Sequence, residues 1–244
     1  MSLSPIYQTE ADFLAAYNIH DYPIPLASVD VCIFTVHENK LKVLCVKRSD
    51  YPHKDRWALA GGFIDIKGDA NLENTALRVL TKKTGITTPY LEQLATVGNN
   101  SRDPRGWSMT AVYFALIPYV ELPQTGSEPS QWHDVTLALN LNLAFDHQQL
   151  LAMALTRIQA KVLYSLIPAN LIPSPFTLTE LQQAYEIIIG HEIEKKSFRR
   201  RLEREQVLTA TGQHKQEGAG RPAALYTLKP ECALFNFKRQ LDAE

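Results

Sequence analysis

The sequence is poor in several residue types and segment kinds, and each shortage excludes something. Three cysteines occur in 244 residues, and no two have the spacing of a metal-binding pair. Cys32 and Cys45 lie in apolar stretches and Cys232 stands apart. An odd number of such thiols excludes a fully paired disulfide framework and fits a reduced, cytoplasmic protein. No apolar run reaches about 18 residues, so no membrane-spanning helix is expected. The first residues, Met1-Ser2-Leu3-Ser4-Pro5, lack the charged and then apolar regions of a signal peptide. Net charge is also small, with 25 basic against 26 acidic side chains. An apolar content of 45% and a charged content of 21% describe an ordinary globular protein, long enough for two domains.

The neutral balance hides a split. Residues 1–150 carry 12 Lys and Arg against 16 Asp and Glu, whereas residues 151–244 carry 13 against 10. From Lys195 to Arg221 there are 8 basic and 3 acidic residues. Two jobs, one of them beside a polyanion, are the simplest reading.

Along the first part, Thr9-Glu10-Ala11-Asp12 has the form of a capping box and predicts a short helix through Tyr17. Ser28 to Val36 reads as a mostly buried strand, His37 to Lys40 as a turn and Leu41 to Lys47 as the returning strand. A polar loop, Arg48 to Asp55, precedes the stretch on which this half is organised, Trp57 to Asp65. There a short apolar strand meets Gly61-Gly62 and then a loop. A glycine pair lets backbone approach a bulky ligand, and its N–H groups can face phosphate oxygens. A helix follows from Asn71, with Leu72, Ala76, Val79 and Leu80 on one face and Gly85 as its left-handed stop.

Tyr90 to Gly98 and Ser108 to Ile117 read as strands. Between them, Arg102 and Arg105 flank an Asp103-Pro104 turn. Guanidinium geometry suits bidentate contact with a diphosphate, and a salt-bridged hairpin loop is the plainer alternative. Arg48 and Arg56 join the candidates through proximity to the Gly-Gly strand rather than through a motif. Phe63 or Tyr7 can stack on a nucleobase, or pack in the core. Glu121 to Ser130, rich in Pro, Gly and Ser, reads as a loop.

In the second part, Asp146 can N-cap a long helix running to about Leu166, which the three prolines between Ile167 and Pro175 end. Thr177-Leu178-Thr179-Glu180 is a second capping box, opening a helix with Leu181, Ala184, Tyr185 and Ile188 inward and Gly190 at its stop. In the next helical stretch Phe198 and Leu202 point inward. That leaves Lys195, Lys196, Ser197, Arg199, Arg200 and Arg204 for the outer faces. Val207 to Thr209 reads as a strand, Gln213 to Arg221 as a Gly-rich basic loop and Ala224 to Leu228 as a returning strand. Helix, turn, basic helix, strand, loop and strand is the order of a winged helix-turn-helix. Its basic helix enters the major groove, and wing residues such as Lys215 and Arg221 lie along the backbone. A solvated basic helix is the alternative.

The segment from Gly62 to Ile86 resembles a Nudix box. Arg78, Leu80 and the pair Gly85-Ile86 match it. Its metal-holding glutamates do not: their positions hold Ala70, Val79, Lys82 and Lys83, and the loop after Gly62 is two residues longer than the pattern. Glutamates spaced along one helix face hold divalent cations in Nudix hydrolases; Val79 ligates nothing and the two lysines oppose a cation. Asp65, Asp69 and Glu73 lie nearby but at no box position. Catalytic residues, metal and cofactor are accordingly expected to be none.

Arg102-Asp103-Pro104-Arg105-Gly106, the downstream Trp132 and the run Leu143-Ala144-Phe145-Asp146-His147 are similar, in that order, to the Nudix-related transcriptional regulators of NAD metabolism, the NrtR family. The resemblance covers nearly the whole chain. It implies an α/β (α+β) protein: a Nudix-like α/β/α sandwich over residues 1–150, then a winged helix-turn-helix domain over residues 151–244. It implies a homodimeric repressor, with the first domain sensing ADP-ribose or a related NAD-derived nucleotide and the second binding operator DNA. Two other classes stay open. One is an ADP-ribose pyrophosphatase with an accessory winged-helix module, which needs metal-binding carboxylates from outside the box. The other is a protein-binding adaptor.

Overall fold

The apolar run around Cys32 becomes the middle strand of the protein. In the computed structural model, residues 7–87, 90–123, 129–216, 222–232, 234–238 and 241 are described. Helix α1 (Glu10–Ala16) opens on the expected capping box, with Thr9 and Asp12 bonded reciprocally. Strand β1 (Leu26–His37) turns through Glu38 and Asn39, both left-handed, into β2 (Lys40–Lys47). A right-twisting two-residue hairpin requires that conformation, and Asn tolerates it. Then come β3 (Trp57–Phe63), α2 (Leu72–Thr84), β4 (Tyr90–Asn99), β5 (Ser108–Leu116), β6 (Ser130–Asp134) and the short α3 (Val135–Ala138). The sheet order is β4-β5-β1-β3-β2-β6, with β1 and β5 parallel and the remaining pairs antiparallel.

Successive strand residues point to opposite faces. Val29, Val31 and Ile33 of β1 pack with Ala76, Val79 and Leu80 of α2. Cys32 and Phe34 pack on the other face, with Leu150, Leu151 and Ala154 of α4 (His147–Val162). Covering on both faces explains why β1 reads as a nearly continuous apolar run. Asp30 falls on the α4 face, a lone carboxylate in that run.

Beyond α4 the chain makes a 3-10 turn, Ile167–Leu171, then β7 (Phe176–Thr177), α5 (Leu178–Ile189), α6 (Lys195–Glu205), β8 (Leu208–Lys215) and β9 (Ala223–Leu228). The three strands form a second sheet in the order β7-β9-β8. The capping box at Thr177 and the left-handed Gly190 bound α5 as expected, with Leu181, Ala184, Tyr185 and Ile188 buried. Tyr185 and Phe198 join the same apolar cluster as Phe34 and Leu150, so one core runs from the first sheet into the second unit. Among the described residues no helix is long and apolar enough to cross a membrane. The three cysteines are free and buried, and burial pushes the Cys45 thiol up to about 12.

Several expectations need correction. Gly61 and Gly62 stand inside β3, opposite Asp30 and Val29, and the loop begins only after Phe63. Leu72, expected on the buried face of α2, is exposed, and Thr75 is buried. Asp146 precedes α4 but makes no side-chain cap, and α4 ends at Val162 rather than near Leu166. Gln213, His214 and Lys215 belong to β8 and not to a loop. Arg221 and part of the expected 121–130 loop lie outside the described residues.

Candidate functional site

The start of β1, the C-terminal half of β3, the loop 99–107 and the first turn of α4 converge on a cavity of about 610 Å³, open mouth included. Arg102 is buried in its wall. Its Nε and Nη2 donate to the two oxygens of Asp146 at 3.0 Å each, and Nη2 also approaches Asp30 at 3.3 Å. The Asn99 side chain sets the loop by accepting from the N–H groups of Ser101 and Arg102. Arg105 is held by Asp103 at 2.7 Å, and its guanidinium lies 5.2 Å from the Phe63 ring centre. Burial raises the Asp103 pKa, but the hydrogen bonds and charge of Arg105 outweigh it and hold that carboxyl below the usual range.

His147 is fully enclosed. Its Nδ1 accepts the Leu59 N–H at 2.9 Å, which leaves the proton of the neutral ring on Nε2, 3.5 Å from Asp30. Burial pushes its pKa down, against the pull of Asp30 and Asp146. Arg48 donates to the carbonyl of Pro52 at 2.8 Å and lies 4.8 Å from the centre of the Phe145 ring. It is the cavity guanidinium held by carbonyls and a ring rather than by a carboxylate.

The sequence candidates therefore separate. Arg48, Gly61, Gly62, Phe63, Arg102, Asp103 and Arg105 all line this cavity. Arg56 does not; it clips β3 to the 142–143 segment through the carbonyls of Asn142 and Leu143 and the Asn142 side chain, a structural task. Gly61 has a different reason from the one expected. A Cβ there would lie 2.2 Å from Oδ1 of Asp30, so the residue is small to admit that carboxylate. Arg102 is engaged by two carboxylates and is not a free phosphate grip. Tyr7 packs edge-on against Phe13 at 5.3 Å, away from the cavity wall. Sequence reasoning missed Asp30, Phe145, Asp146 as the partner of Arg102, and His147. A charge inside the run SVDVCIFTV was the available signal for Asp30.

Leu26, Phe63 and Arg105 also border a wider apolar cleft that continues past Ile24 and Trp107. Phe63 and Trp107 are 49% and 51% exposed. Flat, open ring faces beside a guanidinium suit a heterocycle joined to an anion.

The Nudix-like helix does not fit the divalent ion that its fold family implies. Val79 is buried in the core, and Lys82 lies exposed on the last turn of α2. The Asp69 carboxylate is used by Arg78, Thr75 and the Asp65 N–H, and chiefly the Arg78 bonds hold its pKa well below the carboxylate range. Among the described residues no cluster of three His, Cys, Asp or Glu side chains has metal-holding geometry.

On the second unit, α6 is capped by Glu194, which accepts from the N–H groups of Lys196 and Ser197. Phe198 and Leu202 are its buried pair. Lys195, Lys196, Ser197, Arg200 and Arg204 are exposed, and Arg199 is half-buried. Arg201 turns inward, donating to the Leu163 carbonyl and covering the Phe237 ring at 3.9 Å. Lys215, expected in the wing, pairs with Glu180 at the start of α5 at 2.6 Å.

Comparison with known proteins matches this arrangement at both ends. The NUDIX domain model covers residues 26–154, and the NrtR DNA-binding winged helix domain model covers residues 168–228. The chain is 49% identical to the ADPR responsive transcriptional repressor NtrR of Acinetobacter baylyi, over 99% of this chain and 97% of that one. The crystal structure of Shewanella oneidensis NrtR complexed with a 27mer DNA superposes with a TM-score of 0.83 at 46% identity, covering 88% of this chain and 99% of that chain. The NUDIX domain of the same protein complexed with ADP ribose superposes with a TM-score of 0.59 at 46% identity, covering 62% and 99%.

Proposed function

The chain belongs to the NrtR family of Nudix-related transcriptional regulators, and on that premise we propose that it is an ADP-ribose-responsive repressor. ADP-ribose, or a related NAD-derived nucleotide, binds in the arginine-lined cavity and changes the affinity of the winged helix for operator DNA. The observation that carries this reading is the joining, in one chain, of that cavity to a solvent-facing basic helix, α6. The diphosphate faces the guanidiniums of Arg48, Arg102 and Arg105, and a ring of the ligand lies on Phe63. Lys195, Lys196, Ser197, Arg199, Arg200 and Arg204 meet phosphates and base edges, with Lys215 at the end of β8 as a further phosphate contact. A homodimer on a two-fold symmetric operator in the cytoplasm belongs to the same proposal.

The cavity binds and does not hydrolyse. Lys82 and Lys83 take the places of metal-holding acids, and Asp69 is spent on Arg78. Linkage requires the nucleotide to prefer one conformation of the protein; a ligand that releases DNA binds the DNA-free form more tightly. A gel-shift titration on the chain's own upstream DNA, with and without ADP-ribose, tests the proposal. The expected result is a bound complex whose midpoint moves at least fivefold with the nucleotide, the lower end of usual coupling, roughly 5–150-fold. Absence of any shifted complex at low salt, or steady AMP release from ADP-ribose with Mg²⁺, overturns it.

A further inference from the structure

Six charged side chains meet around the cavity: Asp30, Asp103 and Asp146 against Arg48, Arg102 and Arg105. Three against three, the set is neutral before any ligand arrives. A diphosphate brings negative charge into a confined space; Arg48 is held by carbonyls and a ring, and any further guanidinium drawn to the ligand leaves a carboxylate that holds it, Asp103 for Arg105 or Asp146 for Arg102. Arg105 and Asp103 are neighbours in one loop, and parting them moves little else. Arg102 and Asp146 belong to different elements, so parting them uncouples the loop from the first turn of α4.

The chain entering α4 is under strain. Phe145, next to Asp146, has a left-handed φ of 55°. A large non-glycine residue there costs of order 1–3 kcal/mol and persists only where its surroundings enforce it. Arg48 over its ring and His53 set edge-to-face with it, 4.8 Å each, help to enforce it, and Arg48 lines the cavity. The far end of α4 touches the DNA-facing unit. Gln159 donates to the Ile188 carbonyl of α5 at 3.3 Å. Tyr185 donates to the Ser165 carbonyl at 2.6 Å, and Arg201 of α6 donates to Leu163. A 16-residue helix spans about 24 Å and transmits displacement as a rod.

We propose that the Arg102–Asp146 pair is the switch between cavity and recognition helix: an entering phosphate takes Arg102 from Asp146, releases the strained entry to α4 at Phe145, and shifts α5 and α6 through the other end of α4. This rests on the reading that the cavity takes ADP-ribose and α6 takes DNA. Asp146 is a positioning residue and does not line the cavity. The pair is a two-state element that both sites bias, as allosteric coupling requires.

The test is the ratio of operator Kd at saturating ADP-ribose to operator Kd without it, in the full chain. Saturation removes any confounding change in nucleotide affinity. In Asp146→Asn the ratio is expected to fall to within about twofold of one, while calorimetric titration still shows ADP-ribose binding. Asp146→Glu, which keeps the carboxylate, is expected to recover coupling above that of Asn. A wild-type ratio above one that Asp146→Asn retains overturns the switch alone; a wild-type ratio of one overturns the regulatory reading with it. Hydrogen exchange on the wild type needs no variant to fold. ADP-ribose should speed exchange at amides 146–150 and alter it at 163–165, and changes confined to 99–106 overturn the route.

Discussion

At the scale of residues, the cavity is a set of carboxylates and guanidiniums arranged around one buried acid. Asp30 draws together Arg102, His147 and, by its proximity, the glycine at position 61. The glycine pair was legible in the sequence, but its reason was not: a side chain from the neighbouring strand, 31 positions earlier, forbids a Cβ. Gly61→Ala is expected to destabilise the fold by roughly 1–3 kcal/mol, because Asp30 is held from two sides and cannot step aside. A denaturant midpoint equal to that of the wild type would show that Asp30 does not face this position. Arg102 and Arg105 were legible as a motif. Their carboxylate partners were not, since Asp146 lies 44 positions from Arg102 and pairs with it only after α4 folds back onto β1.

At the scale of elements, local signals did best where the chain itself supplies the partner. Both capping boxes, the left-handed stops at Gly85 and Gly190, and the inward pair Phe198 and Leu202 were read correctly, because each depends on residues within a turn or two. The Asp146 cap failed because a buried guanidinium competes for the same oxygens and offers charge-assisted bonds. On α6 the two faces should separate cleanly. Phe198→Ala, at a buried position against Tyr185, is expected to cost about 3–5 kcal/mol of stability. Arg200→Ala, on the exposed face, should leave the melting temperature within a degree or two. It should also lower the slope of log K against log salt for operator binding by about 1. An unchanged slope would remove Arg200 from the phosphate contacts.

At the scale of the whole molecule, the apolar cluster that begins at Cys32 and Phe34 reaches Tyr185, Phe198 and Phe237, so the two units share that core, while the α2 face of the first sheet has a second one. Calorimetry should show one unfolding transition rather than two. ADP-ribose at 100 times its Kd should stabilise the whole of it by about 2.7 kcal/mol. Two transitions, only one moved by the nucleotide, would contradict a shared core. What the sequence by itself determined here is whatever repeats at short range: the strand and helix periods, the caps and stops, the missing box glutamates, and the basic face of α6. Only the tertiary structure decided which charges neutralise one another, why Gly61 is a glycine, and that the far end of α4 from the cavity wall meets α6 through Arg201. The reason is physical. Hydrophobic period and capping are written within a few residues, whereas an ion pair in a low-dielectric cavity forms between groups that only the packed chain brings within about 3 Å.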